Sequence, residues 1–443
     1  MKTKVLILLF SFYAFNSTAQ VNSFSLNEAV DYALKNNPSS VNASNDLKIA
    51  KAKKWETIAT GLPQISAFLD YKNNIKQRVS LVPAEFFGGN PGEFAEISFG
   101  TKQTFEGTAT LKQLLFNGSY SVALSSVKLY LEIAANAKIK TDLEVKRNVI
   151  SAYGNVLVSQ ERVKLLNQNL ENITVNLNEV QKIYENGLTE LENVEQLTIT
   201  FSTLKNSLNY ANKFVQTSKN ILKLVIGLPI NEEIFLKDNL TQLTLKKITY
   251  EETNSTNTVS QNIDYIIASK NMSSQKVLLK LEQSKALPTL SAFIEGGYNG
   301  NSNSFNFFRS NQKWYGSSIA GVTMSIPIFS SLGRSAKTQQ AKIELEKAKV
   351  GLTHIEQKLL IEIGQAKSDY QFAIENYYNS NQNLVLAEKI ERKNQIKFYE
   401  GLASSFDLRQ AQNQLYSIQN ELLQSMLEVI NKKTNLEIIL NEN

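Results

Sequence analysis

One pattern occurs twice in the chain, and this duplication limits its possible folds more than any other feature. Leu62-Pro63-Gln64-Ile65-Ser66-Ala67-Phe68 returns as Leu287-Pro288-Thr289-Leu290-Ser291-Ala292-Phe293, at an offset of 225. Leu115-Phe116-Asn117-Gly118 is answered by Ile328-Phe329-Ser330-Ser331 at an offset of 213. Tyr184-Glu185-Asn186-Gly187-Leu188 is answered by Phe398-Tyr399-Glu400-Gly401-Leu402 at 214. The first copy therefore carries 12 extra residues between its Leu-Pro and Phe landmarks, placed in a loop over 82–92, where glycine and proline cluster. A period above 200 residues is too long for a solenoid, so this is a duplicated domain.

Each copy reads as a helix, two strands and two very long helices. Ser25 and Glu28 have the spacing of a capping box, which opens a helix over about 25–59 that Pro63 stops. From 97 to 111, Ile97, Phe99, Phe105, Ala109 and Leu111 take odd positions against Ser98, Lys102, Thr104, Glu106, Thr108 and Thr110 at even ones. A period of two makes a strand with one apolar and one polar face. In the second copy Trp314, Ala320, Val322, Met324 and Ile326 are even, as an odd offset of 213 requires. A soluble sandwich would need many short strands. Two long two-faced strands per copy suit a membrane barrel, apolar outward and polar toward the lumen. Four strands per chain cannot enclose a lumen, and open edges in lipid cost several kcal/mol per unpaired group, so subunits must share the barrel.

From Ser119 to Tyr184 there is no proline and only Gly154 as glycine. Such a stretch spans roughly 100 Å as one helix. Its apolar residues form a thin stripe: Val149, Val156, Leu166, Leu170, Ile173 and Leu177. Ala341, Ala348, Ile355, Ala366 and Ala373 match it in the second copy. Narrow seams of this kind suit coiled-coil packing with solvent on more than one side. Each long helix ends at a glycine able to take the left-handed conformation, Gly187 or Gly401, and a second helix follows.

The boundaries expected are a signal peptide over 1–19, a first repeat over 20–229, a linker over 230–257 and a second repeat over 258–443. The first repeat has strands at about 63–80 and 96–113 and helices at about 118–185 and 191–226; the second has strands at about 288–302 and 313–328 and helices at about 333–399 and 405–441. Lys2 and Lys4, the apolar run Val5–Phe10, and small residues at Ser17 and Ala19 carry the export signal. The chain has no cysteine and one histidine, His354, read as surface or seam. A thiol nucleophile, a disulfide frame and a multi-histidine metal cluster are thereby excluded. After the signal the net charge is +4 with no basic block, which leaves no nucleic-acid footprint. Asp264 and Glu190-Leu191-Glu192 lack the phosphate loop, nucleophile elbow or metal spacing an enzyme would need.

A signal peptide, two copies of strand pair plus giant helical hairpin, and Gly-Leu at both tips resemble the TolC family of outer-membrane channels over essentially all of 24–441. The resemblance implies a mainly α fold with membrane β: a homotrimer whose twelve strands close one barrel in outer-membrane lipid, continued by a periplasmic α-helical barrel. It implies a passive exit duct for efflux or type I secretion in a Gram-negative outer membrane, driven by an inner-membrane pump through a periplasmic adaptor (membrane fusion) protein, with no cofactor. A trimeric β-anchored coiled-coil adhesin is the competing reading, though an adhesin would place its strands at one chain end. The adaptor is expected at Gly187, Leu188, Gly401 and Leu402. The family rings its entrance with two acidic residues, six and nine after the second tip glycine; here these are Asp407 and Gln410, with Glu192 and Glu195 nearby in the first copy. The family's latch, an arginine paired with an acid, falls on Ala403 and Asn193, so it cannot form as an ion pair; Glu190, Glu192, Glu195 and Arg409 are the nearby charged substitutes. Asp407 has two readings that stay open: favourable placement at a helix N-terminus, or a cation-binding constriction in which like charges raise each other's pKa.

Overall fold

The computed structural model describes residues 22–248 and 259–441. The signal peptide expected over 1–19 and part of the linker, 249–257, lie outside the described residues. The chain divides into two units: one of residues up to 45, 136–266 and 355–443, the other of 46–135 and 267–354.

In the first unit, β1 (Asn22–Phe24) pairs in parallel with β6 (Ile234–Leu236). Helix α1 (Leu26–Asn36) starts at the Ser25 capping box, with the Ser25 N–H donating to Glu28 Oε2 at 2.8 Å. The helix expected over 25–59 is in fact two helices, because Pro38 crowds its predecessor out of the helical region and toward extended backbone. Asn37 is extended, its side chain accepts the Ser39 N–H at 2.7 Å, and α2 (Pro38–Ala59) restarts with proline at the first helical position.

The long helices are α3 (Gly118–Glu185), α4 (Leu191–Ile226), α7 (Gly333–Tyr399) and α8 (Ser405–Leu440), with α5 (Leu240–Lys247) and α6 (Ile263–Ser284) between the copies. The thin stripe is the core. Val149 and Val156 on α3 pack with Leu222 and Ile226 on α4, Ala366 and Ala373 on α7, and Ile430 on α8. Farther along α3, Leu166, Leu170, Ile173 and Leu177 pack with Val194, Leu197 and Leu204 of α4. Polar ties fix the first cluster: the fully buried Tyr153 hydroxyl lies 2.9 Å from the Phe24 carbonyl and 2.8 Å from Asp238 Oδ2. Asp238 also accepts the Leu26 N–H at 2.7 Å, so one carboxylate orders α1, α3 and the turn before α5.

The second unit holds a four-stranded antiparallel sheet in the order β2 (Gln64–Asn73), β5 (Gln103–Asn117), β7 (Thr289–Ser302), β8 (Trp314–Ser325). The two copies meet where β5 pairs with β7. The alternation from 97 to 111 is not one strand: β4 (Phe94–Ser98) pairs with β3 (Val79–Pro83) in a separate two-stranded sheet. The 12-residue insertion, expected as a loop, is therefore folded into a hairpin closed by a short 3-10 turn over Ala84–Phe87. Its strands read too short and too mixed in pattern to stand apart from the long alternation beside them.

Candidate functional site

Two regions, one in each unit, carry the arrangement that matters for function. In the sheet, the register brings Ile65, Leu69 and Tyr71 of β2 onto one face with Phe105, Ala109 and Leu111 of β5, Ile294 and Tyr298 of β7, and Ala320 and Val322 of β8. The odd-to-even switch of the apolar pattern is thus what keeps one face continuous across the two copies. The opposite face carries Ser66, Asp70, Lys72, Thr104, Glu106, Thr110, Lys112, Glu295, Asn299 and Thr323. Lys72 pairs with Asp70 at 2.5 Å, and Thr110 donates to Glu295 at 2.9 Å. Phe68, Phe293 and Ile319 are apolar exceptions on that side.

The apolar face is bare. Leu69 is 74% exposed and Val322 64%, although burying one such side chain is worth about 1.5–3 kcal/mol. At one end of the sheet its aromatic residues gather: Tyr71 lies edge-on to Phe305 at 5.5 Å, Phe105 edge-on to Trp314 at 5.9 Å, and Phe307 is buried among them. Among the described residues, β2 and β8 each pair on one side only. Among the described residues no helix is long and apolar enough to cross a membrane.

The second region is the pair of tips. Gly187 and Gly401 take φ of +71° and +72°, and each turn closes with the same two backbone bonds. Leu188 N–H donates to Ile183 O at 3.0 Å and Leu402 N–H to Lys397 O at 2.8 Å; Gly187 and Gly401 donate to Tyr184 O and Phe398 O. This is a Schellman closure, whose following apolar residue ordinarily folds back on the helix. Here both point away, with Leu188 79% and Leu402 73% exposed.

The sequence candidates beyond the turns sit near the starts of the returning helices, Glu192 and Asp407 in the first turn and Glu195 and Gln410 just after it. Glu192 and Glu195 occupy one face of α4, and Asp407 and Gln410 the matching face of α8. Asp407 closes a capping box: its carboxylate accepts the Ser404 N–H at 3.0 Å and hydroxyl at 2.7 Å, while its own N–H donates to Ser404 Oγ at 3.2 Å. The Ser404 hydroxyl and amide, helped by Lys397, hold its pKa below the usual carboxylate value. Within one chain Asp407 is thus an ionised cap. Glu192 accepts from Gln196 at 3.1 Å, and Glu192, Glu195 and Gln410 are all exposed. Arg409 lies over the Phe406 ring at 5.6 Å.

Sequence reasoning passed over a polar network just behind the tips. Tyr399 Oη and Gln395 Nε2 on α7 both donate to Asn176 Oδ1 on α3, at 3.0 and 2.9 Å, and Asn176 is buried. Asn169, one heptad earlier, donates to Gln419 on α8 at 2.8 Å. Burial pushes the Glu391 carboxyl above its ordinary pKa, against an opposing hydrogen bond from Gln412 and the charge of Arg392. The only signal available was the heptad-spaced pair Asn169 and Asn176 beside an apolar seam.

The chain matches the family model described as outer membrane efflux protein over residues 29–228 and 269–442. A search of the curated proteins finds no match. Among solved structures it is similar to the outer membrane protein VceC of Vibrio cholerae, at 17% identity and TM-score 0.70, covering 94% of this chain and 95% of that one. It is similar to CusC, studied for transmembrane channel formation, at 16% identity and TM-score 0.76, covering 94% and 92%. The Campylobacter jejuni outer membrane channel CmeC aligns at 17% identity and TM-score 0.73, covering 94% and 85%.

Proposed function

From the premise that the chain belongs to the outer membrane efflux protein family, we propose that it works as a homotrimeric exit duct, with β2 of each copy pairing with β8 of the next. The chain is an outer-membrane efflux channel subunit. The observation that carries the trimeric reading is the sheet with one continuous apolar face, one polar face and two unpaired edges. Lipid covers the apolar face, which accounts for side chains as exposed as Leu69. Closing three such sheets pairs every edge and turns Asp70, Lys72, Glu106 and Glu295 to a water-filled lumen. Transport through it is passive, and an inner-membrane pump supplies the energy.

The tips receive the periplasmic adaptor. Leu188 and Leu402 project from rigid, doubly hydrogen-bonded turns, so they offer apolar contacts without an ordering cost in the backbone. Asp407 and Gln410, with Glu192 and Glu195, form the polar ring of the entrance. The missing arginine-acid latch is replaced by the neutral tie from Tyr399 and Gln395 to Asn176.

The test is conductance together with cross-linking. The purified protein should give stepwise ion conductance in planar bilayers, and a photo-cross-linker at Leu188 or Leu402 should capture the adaptor. Absence of conducting steps from an assembled, folded preparation overturns the duct.

A further inference from the structure

The apolar face of the sheet carries an open hollow of about 760 Å3. Its floor is Gly107 on β5, Gly296 on β7 and Gly316 on β8, and its walls include Phe105, Tyr298 and Trp314. The register puts these six residues on the apolar face, away from the lumen. The hollow runs from the inner strand β5 across β7 to the edge strand β8. A strand added by a second copy lies in the sheet plane about 4.8 Å beside β8, alongside the hollow and not over it. On the channel reading, on which this inference rests, only lipid reaches that surface.

The end of the sheet says which lipid. The aromatic cluster marks the end of the strands at the 303–313 connection, as aromatic girdles do at a membrane interface. With the helices in the periplasm, that connection faces outward. It carries Arg309 and Lys313 and no acidic residue, and both cations are exposed. Neither makes an ion pair among the described residues. Lys102, tied by its backbone to Asn303 at 3.0 Å, adds a third such cation. A zwitterionic phospholipid brings its own ammonium to its phosphate and does not call for three unpaired cations. A lipid with several acyl chains and more than one phosphate does.

We propose that the hollow seats one acyl chain of lipid A, the phosphorylated glycolipid of the outer leaflet, while Arg309 and Lys313 meet its phosphates. Glycine at 296 is what leaves the floor open. A Cβ there would find nothing nearer than Ser317 O at 3.9 Å, so a side chain at 296 fits without moving the sheet and fills the hollow. At Gly316, by contrast, a Cβ would press on the Tyr298 ring at 3.2 Å.

The probe is purified bis-phosphorylated lipid A added to the detergent-solubilised full protein, with retained lipid counted by native mass spectrometry. The wild type should keep lipid A in preference to phosphatidylethanolamine. Gly296→Leu should lose it about tenfold. The double variant Arg309→Gln, Lys313→Gln should lose the preference for lipid A over its dephosphorylated form while still assembling. Bilayer conductance of the same preparations reports on the duct separately. Conducting channels of Gly296→Leu that retain as much lipid A as wild type overturn the site, as does equal retention of phosphatidylethanolamine by wild type.

Discussion

Asp407 is a helix cap in this chain, and the proposed entrance would give the same carboxylate a second purpose. Its carboxylate caps α8 through Ser404, and that cap holds it ionised. On the proposed trimeric reading three such charges would face one another at the entrance. Ser404→Ala should lower stability by about 1 kcal/mol, read by denaturation, and leave cation block of the channel unchanged. Asp407→Ala should reduce both, with multivalent-cation block in planar bilayers weakened several-fold. Block unchanged in Asp407→Ala would leave the residue as a cap alone. Glu391 behaves in the opposite sense. Burial raises its pKa in the folded state, so its contribution is fully present below the unfolded carboxylate value of about 4.3 and is lost as pH rises through the folded value. Thermal unfolding followed upward from pH 4 should show a stability loss that Glu391→Gln removes.

At the scale of elements, the pieces that were easiest to read were those whose period matches their surroundings. The stripe from Val149 to Leu177 buries against neighbouring helices because a helix repeats its face every 3.6 residues whatever its partners are. The odd-to-even switch of the strands was legible for the same reason, since only a shared face rewards it. What was missed depends on context. Pro38 lies inside an otherwise helical stretch, and its consequence appears only once Asn37 is extended and caps α2. The β3–β4 hairpin was absorbed into a longer alternation because Ile97 and Phe99 happen to keep its parity. Asn176 was invisible as a site: a lone amide beside a seam acquires meaning only when Tyr399 and Gln395 arrive from the other copy. Asn176→Leu removes the acceptor shared by the exposed Tyr399 and the half-buried Gln395, at about 1 kcal/mol for each hydrogen bond lost. It should raise the open probability of the channel at low voltage. An unaltered opening frequency would mean that the tie does not hold the entrance.

For the whole molecule, the proposed assembly makes one sheet of four strands a third of a barrel. Exposed apolar side chains on one face, charges on the other and two edges unpaired among the described residues are together what the proposed completion of one copy by the next would account for. Leucines fixed outward at both tips fit the same proposal, in which a partner would meet a trimeric end. The most direct measurement uses the absence of cysteine from the chain. Single cysteines placed in pairs, one along β2 from Gln64 to Asn73 and one along β8 from Trp314 to Ser325, are oxidised in the membrane and run on a non-reducing gel. Closure predicts disulfides between copies for pairs that share a face, an odd β2 position with an even β8 position or the reverse, and a ladder ending at the covalent trimer. A membrane-embedded protein that gives no intermolecular disulfide at any position along both edges would contradict it.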